Sequence, residues 1–269
     1  MLKEVVKMTE LLKVEALSKS YQQKGFWLKK NTTTVLEPIS FSIEAHKTLA
    51  IIGETGSGKS TLAKLLVGAE PASSGNIYLN GQVLRDGSYK QRCQHIRMIF
   101  QDSGTTLNPS LTILQLLDEP LKLNTPFDEN KRKELIRTTL QKVGLLGDHM
   151  NFYPHMFSGG QKQRISLARA IILQPQVIIL DEALAALDPS LRSQMINLLL
   201  DLQQQMGLAY ILISHNLGII RHFSDDIMVL SQGKVVESGK TLAVMKKPQH
   251  KVTQKLLMNQ NFQLKPKKT

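Results

Sequence analysis

The sequence predicts a mixed α/β protein built around a parallel sheet. Two observations carry this prediction: an apolar run at residues 48–53 that ends in glycine and leads into a helical pattern, and an alternation of apolar runs with helical patterns after residue 175. Strands buried on both faces of a parallel sheet read as continuous apolar runs, because helices cover both faces. The 269 residues suffice for one large domain with attached subdomains.

The elements follow in a definite order. Alternating apolar and polar residues in LLKVEALS and TTTVLEPISFSIE predict an antiparallel β-layer, with a basic loop around Trp27 between them. The apolar run TLAIIG then predicts a strand, and KSTLAKLLVGA, after a glycine loop, predicts a helix. Further along the chain, NKRKELIRTTLQKVGLL predicts a helical insertion. We predict one domain over residues 9–269, with a helical subdomain at about 111–170 and a C-terminal extension at about 232–269.

Composition excludes several classes of protein. Hydrophobic residues make up 42% of the chain and charged residues 21%, which is typical of a folded soluble protein. Apolar runs such as 208–213 are far shorter than the ~18 residues of a membrane span, and the N-terminal residues lack the apolar segment of a secretory signal. The single cysteine, Cys93, excludes an intrachain disulfide and a cysteine-clustered metal site.

The net charge of +12 is concentrated near the C-terminus. No Asp or Glu follows Glu237, whereas eight lysines do. This gradient favours an anionic neighbour, either a membrane surface or nucleic acid, and charge alone does not distinguish them. A solvated, partly disordered tail at 261–269 is the third alternative. The lysines are Lys240, Lys246, Lys247, Lys251, Lys255, Lys265, Lys267 and Lys268.

The strongest motif is a phosphate-binding loop, GETGSGKS, between a predicted strand and a predicted helix. Its glycines let backbone N–H groups turn toward phosphate oxygens, and the helix N-terminus adds partial positive charge. We expect Lys59 to reach the β and γ phosphates of ATP and Ser60 to bind Mg²⁺. The predicted ATP-binding residues of this segment are Gly53, Glu54, Thr55, Gly56, Ser57, Gly58, Lys59, Ser60 and Thr61.

Two further motifs fit the same chemistry. Asp181 and Glu182 follow the apolar run VIIL, at the strand edge where open α/β sheets bind ligands. Asp181 is placed to hold Mg²⁺, and Glu182 to polarise a water that attacks the γ phosphate. Taken alone, such acids would equally well start a helix. Ser158 opens a Ser-Gly-Gly turn before ISLARAIIL, which predicts either a simple helix cap or a second anion-binding helix end.

In combination, these motifs resemble the ordered set of the ABC-transporter ATPases, and the resemblance covers the whole chain. The order is the phosphate loop, Gln101 after IRMIF, SGGQ, VIILDE, ALD at 186–188, and His215 after ILIS. The resemblance implies the P-loop NTPase fold of an ABC ATPase domain. That fold has a RecA-like parallel core, an antiparallel β-subdomain and an inserted α-helical subdomain.

The resemblance also implies individual roles. Tyr21 would stack on adenine, Asp188 would communicate across a dimer, and His215 would contact the γ phosphate. Gln101 would contact Mg²⁺ and move with the transmembrane partner. The implied catalytic set is Lys59, Gln101, Glu182 and His215; the implied metal ligands are Ser60, Gln101 and Asp181; and the implied signature residues, which bind the ATP of the partner subunit, are Ser158, Gly159, Gly160 and Gln161.

Three stretches are similar to the oligopeptide and dipeptide importer branch: IRMIFQDSGTTLNPSLTI, VGLLGDHMNFYPHMFSGGQKQR and KKPQHKVTQKLL. This similarity implies an ATP hydrolase that drives uptake of peptides, antimicrobial peptides included, through two separate permeases. A paralogous second ATPase subunit and a periplasmic peptide-binding protein are the further implied partners, at the cytoplasmic face of a bacterial inner membrane. Several relatives carry a C-terminal cysteine cluster, but no cysteine follows Cys93, so we predict no iron–sulfur centre. Asn216 stands where relatives often have Asp.

Two other functions remain as alternatives. One is a regulatory ATPase that gates a membrane partner without moving a solute. The other is a soluble ABC ATPase that acts on nucleic acid or ribosomes. Members of that class insert a coiled coil or zinc module before the signature or fuse two ATPase domains, whereas this chain has one domain and one cysteine. We therefore expect no nucleic-acid partner.

Overall fold

The computed structural model describes residues 10–24, 30–84, 89–100, 107–185 and 187–258. The strands in these ranges are β1 (Glu10–Lys24), β2 (Lys30–Glu44), β3 (Thr48–Gly53), β4 (Ser74–Leu79), β5 (Gln82–Val83), β6 (Ile96–Phe100), β7 (Val177–Asp181), β8 (Ala209–Ile213), β9 (Asp226–Ser231) and β10 (Lys234–Lys240). The α-helices are α1 (Lys59–Val67), α2 (Tyr89–His95), α3 (Ile113–Asn124), α4 (Glu129–Lys142), α5 (Gly159–Ile171), α6 (Pro189–Met206), α7 (Leu217–Phe223), α8 (Thr241–Lys246) and α9 (Lys251–Met258).

The central sheet has the strand order β10-β9-β3-β8-β7-β6. The pairs from β9 to β6 are parallel, which is the predicted core, and the apolar residues of β9, β3, β8 and β7 are buried, whereas Phe100 at the end of β6 is exposed. β10 differs, because it pairs antiparallel with β9. Gln232 and Gly233 connect these two strands, both with positive φ, and so short a connection can only reverse the chain.

The predicted antiparallel layer is present, with the strand order β2-β1-β4-β5. Its apolar face packs with α1 and the central sheet in one buried cluster, which includes Leu12, Leu36 and Leu62. Val35 and Leu36 of β2 lie against the phosphate loop, so this layer forms one wall of the loop. The predicted basic loop around Trp27 lies outside the described residues.

The predicted helical subdomain comprises α3, α4 and α5. Thr112 and Asp128 cap α3 and α4, and Ile136, Leu140 and Ile165 are fully buried between the helices. These residues share one apolar cluster with the central sheet, so the subdomain is packed onto the core rather than tethered to it. In the described part of the chain, no helix has the length and apolar character to cross a membrane.

Candidate active site

The phosphate loop joins the end of β3 to the start of α1 and is fixed by backbone contacts. Gly53 has φ +156°, and a Cβ there would lie 2.2 Å from the carbonyl oxygen of Leu230 on β9. Gly58 precedes α1 with φ +104°, and its Cβ would lie 3.2 Å from the carbonyl oxygen of Val35. Because neither position tolerates a side chain, glycine is required where β9 and β2 approach the loop.

Lys59 is half-buried and turned into its own loop. Its Nζ donates to the carbonyl oxygens of Gly53 and Glu54, at 2.8 Å each, and to Oγ of Ser57 at 3.3 Å. Burial lowers the pKa of Lys59, and the nearby carboxylates of Glu182 and Asp181 act in the opposite direction. The ammonium group therefore bridges three oxygen atoms of the loop through hydrogen bonds. Phosphate oxygens can replace these oxygen atoms as its acceptors.

Asp181 ends β7 and faces the start of α1. Its carboxylate is hydrogen-bonded to the Ser60 hydroxyl, and it is partly buried. Burial raises the pKa of Asp181 above its usual value, whereas the hydrogen bond from Ser60 and the charge of Lys59 lower it. Both side chains offer oxygen ligands, which are the ligands that Mg²⁺ prefers, so the pair fits a magnesium ion.

Glu182 follows Asp181 in the left-handed backbone region, with φ +52°. Its Oε1 lies 2.9 Å from Nδ1 of His215, and its amide donates to the carbonyl oxygen of Ile213 at 3.0 Å. Its other oxygen, Oε2, is buried and has no hydrogen-bond partner within the described residues. One carboxylate oxygen is thus held in place, and the other can accept a proton.

The structure brings together five of the predicted site residues: Lys59, Ser60, Asp181, Glu182 and His215. They follow β3, β7 and β8, which are neighbours in the central sheet, so the carboxyl ends of three adjacent strands form the site. Gln101 follows Phe100, whose register partner is Asp181, but Gln101 itself lies outside the described residues.

The signature residues form a second group with contacts of its own. Ser158 caps α5: its Oγ accepts from the Gln161 amide at 3.3 Å, and Oε1 of Gln161 accepts from the Ser158 amide at 3.0 Å. A Cβ on Gly160 would lie 3.1 Å from the Leu191 side chain on α6. Asp188 caps α6 and accepts from the Leu191 amide at 3.0 Å. Leu191 therefore links the signature turn to Asp188.

Tyr21 lies on β1, away from these contacts, and is 39% exposed. Its hydroxyl donates to the carboxylate of Glu70, which also pairs with Lys64 at 3.3 Å. This hydrogen bond raises the pKa of the Tyr21 hydroxyl. The ammonium group of Lys19 lies 4.9 Å from the centre of the Tyr21 ring. Lys19 thus occupies one face of the ring, and a stacked base would use the other.

Sequence reasoning missed one residue that contacts the phosphate loop. Nζ of Lys255, on α9, lies 2.8 Å from Oε1 of Glu54. The two residues are 201 positions apart, and no motif or periodicity connects them. Only the folded chain could reveal this pair.

Comparison with known proteins assigns the family. The sequence profile described as ABC transporter matches residues 36–185, which is more than half of the chain. The chain belongs to the ABC transporter family. It is an ABC ATPase domain, an enzyme that hydrolyses ATP, and its two sheets and helical subdomain are those of that fold.

Two relatives of this ABC ATPase share a name but carry different descriptions. SapF of Salmonella typhimurium strain LT2, described as a peptide transport system ATP-binding protein, is 49% identical over 247 residues, which is 92% of each chain. SapF of Escherichia coli strain K12 has the same identity and coverage but is described as a putrescine export system ATP-binding protein. DppF of Escherichia coli strain K12, described as a dipeptide transport ATP-binding protein, is 43% identical over 251 residues, which is 92% of this chain and 75% of its own.

Solved structures of ABC ATPases resemble this one closely. CbiO1 from Clostridium perfringens, part of the transporter complex cbiONQ, gives a TM-score of 0.77 at 27% identity and covers 95% of this chain and 96% of its own. The dimeric cassette MJ0796, in a post-hydrolysis state bound to ADP and Pi, gives 0.71 at 26% identity over 86% of this chain and 98% of its own.

Proposed function

We propose that this ABC ATPase is the ATP-binding subunit of a peptide importer and hydrolyses ATP between two paired subunits. The observation that carries the proposal is the convergence of Lys59, Ser60, Asp181, Glu182 and His215 at the ends of three adjacent strands. A phosphate loop, an oxygen pair for a divalent cation and a carboxylate with a buried acceptor oxygen are the parts that phosphoryl transfer to water requires.

Phosphate binding begins with an exchange at Lys59. The ammonium group leaves the carbonyl oxygens of Gly53 and Glu54 for the β and γ phosphate oxygens. The loop amides of residues 55–58 and the N-terminus of α1 then surround the same oxygens. Because Lys59 already lies within the loop, binding exchanges acceptors and does not require a large movement of the side chain.

Ser60 and Asp181 would hold the magnesium ion, together with Gln101. When bound, the ion neutralises charge on the transferred phosphoryl group. The carboxylate of Asp181 must be ionised to bind it, and its raised pKa places that ionisation at a higher pH than for an exposed aspartate.

Glu182 acts as the general base. The water oxygen forms a bond to the γ phosphorus, its proton passes to the Glu182 carboxylate, and the bond from that phosphorus to the ADP oxygen breaks. The contact between His215 and Oε1 keeps the carboxylate oriented for this proton transfer.

The signature group completes the site from a second subunit. In one chain, Ser158 and Gln161 cap the start of α5 by bonding to each other. We propose, as the resemblance to ABC ATPases implies, that the nucleotide bound by Ser158, Gly159, Gly160 and Gln161 belongs to a partner. Moving a pair from 1% to 99% closed takes about 5.5 kcal/mol. Charge-assisted hydrogen bonds contribute roughly 1.5–3 kcal/mol each, so about two to four to a γ phosphate suffice. Asp188, which caps α6, would couple the signature residues to that helix. Tyr21, on β1, would stack on the adenine of the bound nucleotide.

The dimeric MJ0796 cassette with ADP and Pi supports this pairing. We propose a paralogous second ATPase as the partner, two permeases in the bacterial inner membrane, and a periplasmic peptide-binding protein.

A cavity of about 890 Å³ lies between β6, α3 and α5, and Phe100, Leu123 and Arg97 are among the residues that line it. This cavity suits a permease segment, because Phe100 directly precedes Gln101, the residue expected to move with the transmembrane partner. The ATPase would thus be peripheral, at the cytoplasmic face.

Transport by the purified complex tests the proposal. The chain, its copurifying partner ATPase and permeases, and the peptide-binding protein are reconstituted in vesicles, with Glu182→Gln as the inactive control, and movement of a labelled peptide and of putrescine is followed with ATP. Peptide uptake toward the ATPase side supports the proposal. Putrescine movement in the opposite direction would favour the export function named for the Escherichia coli relative. Hydrolysis without movement of either solute would indicate a regulatory ATPase.

A further inference from the structure

The ion pair between Lys255 and Glu54 joins the C-terminal extension to the phosphate loop. Nζ of Lys255 lies 2.8 Å from Oε1 of Glu54. Glu54 is the only acidic residue in the loop segment GETGSGKS. The backbone carbonyl oxygen of Glu54 also accepts a hydrogen bond from Lys59, the lysine proposed to bind phosphate. Glu54 therefore contacts Lys59 through its backbone and Lys255 through its side chain.

Helix α9 is held in place by contacts other than this pair. Glu237 on β10 accepts from the amides of Gln249, at 2.8 Å, and His250, at 3.0 Å, just before the helix begins. Thr253 and Leu257 are buried, and α9 packs against β3. These contacts place Lys255 beside the loop, so the ion pair is not needed to dock the helix.

The ion pair between Lys255 and Glu54 changes the net charge beside the phosphate-binding loop. A nucleoside triphosphate is a polyanion, and an unpaired carboxylate in the loop that binds its phosphates would repel it. The ammonium group of Lys255 lowers the pKa of Glu54 and cancels its charge. The side chains of Lys255 and Glu54 are 65% and 47% exposed, so the effect on binding is a few-fold at most and is sensitive to salt.

We propose that Lys255 is a positioning residue for nucleotide binding, which acts by pairing with Glu54 and neutralising the one carboxylate of the phosphate loop. The C-terminal extension thereby takes part in the affinity of the loop for ATP. The inference rests on the function proposed above, in which this loop binds the phosphates.

Charge substitutions test it on the full chain. We expect Lys255→Ala to weaken ATP binding and raise KM by about two- to fivefold at low salt, with kcat unchanged. Glu54→Gln should tighten ATP binding by a similar factor, because Lys255 then adds a net positive charge beside the loop. The double variant should return to the affinity of the parent chain, and all differences should shrink as ionic strength rises.

Two control variants show whether the position of the charge matters and whether the loop binds ATP at all. Lys251→Ala removes an equal charge one helical turn away and should leave affinity and KM unchanged. Lys59→Ala reports on the loop itself: if it binds ATP as well as the parent chain, the proposed function fails. If Lys59→Ala abolishes binding but Lys255→Ala has no effect, the role of Lys255 fails and the proposed function stands.

The sign of the Glu54→Gln effect is decisive. If the pair acted only as a mechanical tether for α9, breaking it from either side would weaken ATP binding equally. Weaker binding by Glu54→Gln, or a double variant no better than Lys255→Ala alone, would therefore overturn the proposal. Thermal unfolding of each variant verifies that the fold is retained.

Discussion

Nδ1 of His215 lies 2.9 Å from Oε1 of Glu182, a contact between two side chains of the candidate site. It joins the ends of β7 and β8 and fixes one oxygen of a carboxylate whose other oxygen is buried and has no partner in the described part of the chain. The contact orients the carboxylate that we propose as the general base, while the magnesium nucleotide, the water and the signature residues of a partner subunit complete the site.

Glu182→Gln should separate ATP binding from hydrolysis. The amide fills the same space and can still contact His215, but it cannot accept the proton of the attacking water. We expect ATP binding to persist, hydrolysis to fall by roughly 10²–10⁴-fold, and closed dimer to accumulate. Phosphate release and gel filtration with ATP measure these outcomes. Glu129→Gln, at an exposed position of α4, is the matched control, and normal turnover by Glu182→Gln would refute the assignment of the base.

Lys59→Ala should act earlier, on nucleotide binding itself. The substitution removes the ammonium group that donates to Gly53, Glu54 and Ser57, and with it the charge meant for the β and γ phosphates. We expect ATP retention in a filter-binding assay to fall at least tenfold, which corresponds to about 1.4 kcal/mol. An affinity equal to that of the parent chain would show that the triphosphate binds elsewhere.

Local patterns in the sequence account for most of the site. The phosphate loop and the two acids after VIIL each lie within a few residues of the strand that positions them, so spacing alone predicts their place. The β9–β10 hairpin was not predicted, although Gly233 marks its turn. Gln101 remains a prediction, because it lies outside the described residues.

Contacts across the fold were beyond sequence reasoning. Glu70 accepts from Tyr21 and Lys255 pairs with Glu54 only because separate elements pack together. The left-handed backbone of Glu182 is another such feature, since glycine and asparagine, not glutamate, usually signal positive φ. The strained backbone at Glu182 is set by the surrounding strands rather than by its own side chain.

Asp181→Asn should stabilise the nucleotide-free protein while abolishing its activity. Burial raises the pKa of Asp181, so the ionised form is disfavoured in the folded chain. Because the folded pKa exceeds the unfolded one, this cost is present above the folded pKa and disappears as pH falls below the unfolded value. The neutral amide removes the cost, and we expect the melting temperature to rise by about 2 °C at pH 8.

Thermal unfolding at several pH values measures this effect. The gain from Asp181→Asn should shrink as pH is lowered through the raised pKa of Asp181. Asp201→Asn, on the exposed face of α6, should change the melting temperature little at any pH. A lower melting temperature for Asp181→Asn at pH 8 would mean that the carboxylate stabilises the fold through Ser60 and Lys59 more than its burial costs.

Ser158→Ala tests whether the signature serine does more than cap a helix. Loss of the Oγ acceptor for the Gln161 amide should cost about 1 kcal/mol of stability. ATP binding by one subunit should be unchanged, because the hydrogen bonds of Ser158 lie within its own helix. ATPase activity of the dimer should fall much further than the loss of stability explains, because the partner's γ phosphate loses a donor.

Thr112→Ala is the matched control for that comparison. Thr112 caps α3 in the same subdomain with the same reciprocal pattern, its Oγ1 accepting from the Gln115 amide at 3.3 Å and its own amide donating to Oε1 of Gln115 at 2.8 Å. Its loss should lower the melting temperature about as much as Ser158→Ala but leave ATPase activity near that of the parent chain. If both variants lose activity equally, the capping role alone explains Ser158, because destabilising the helical subdomain would then suffice to stop turnover.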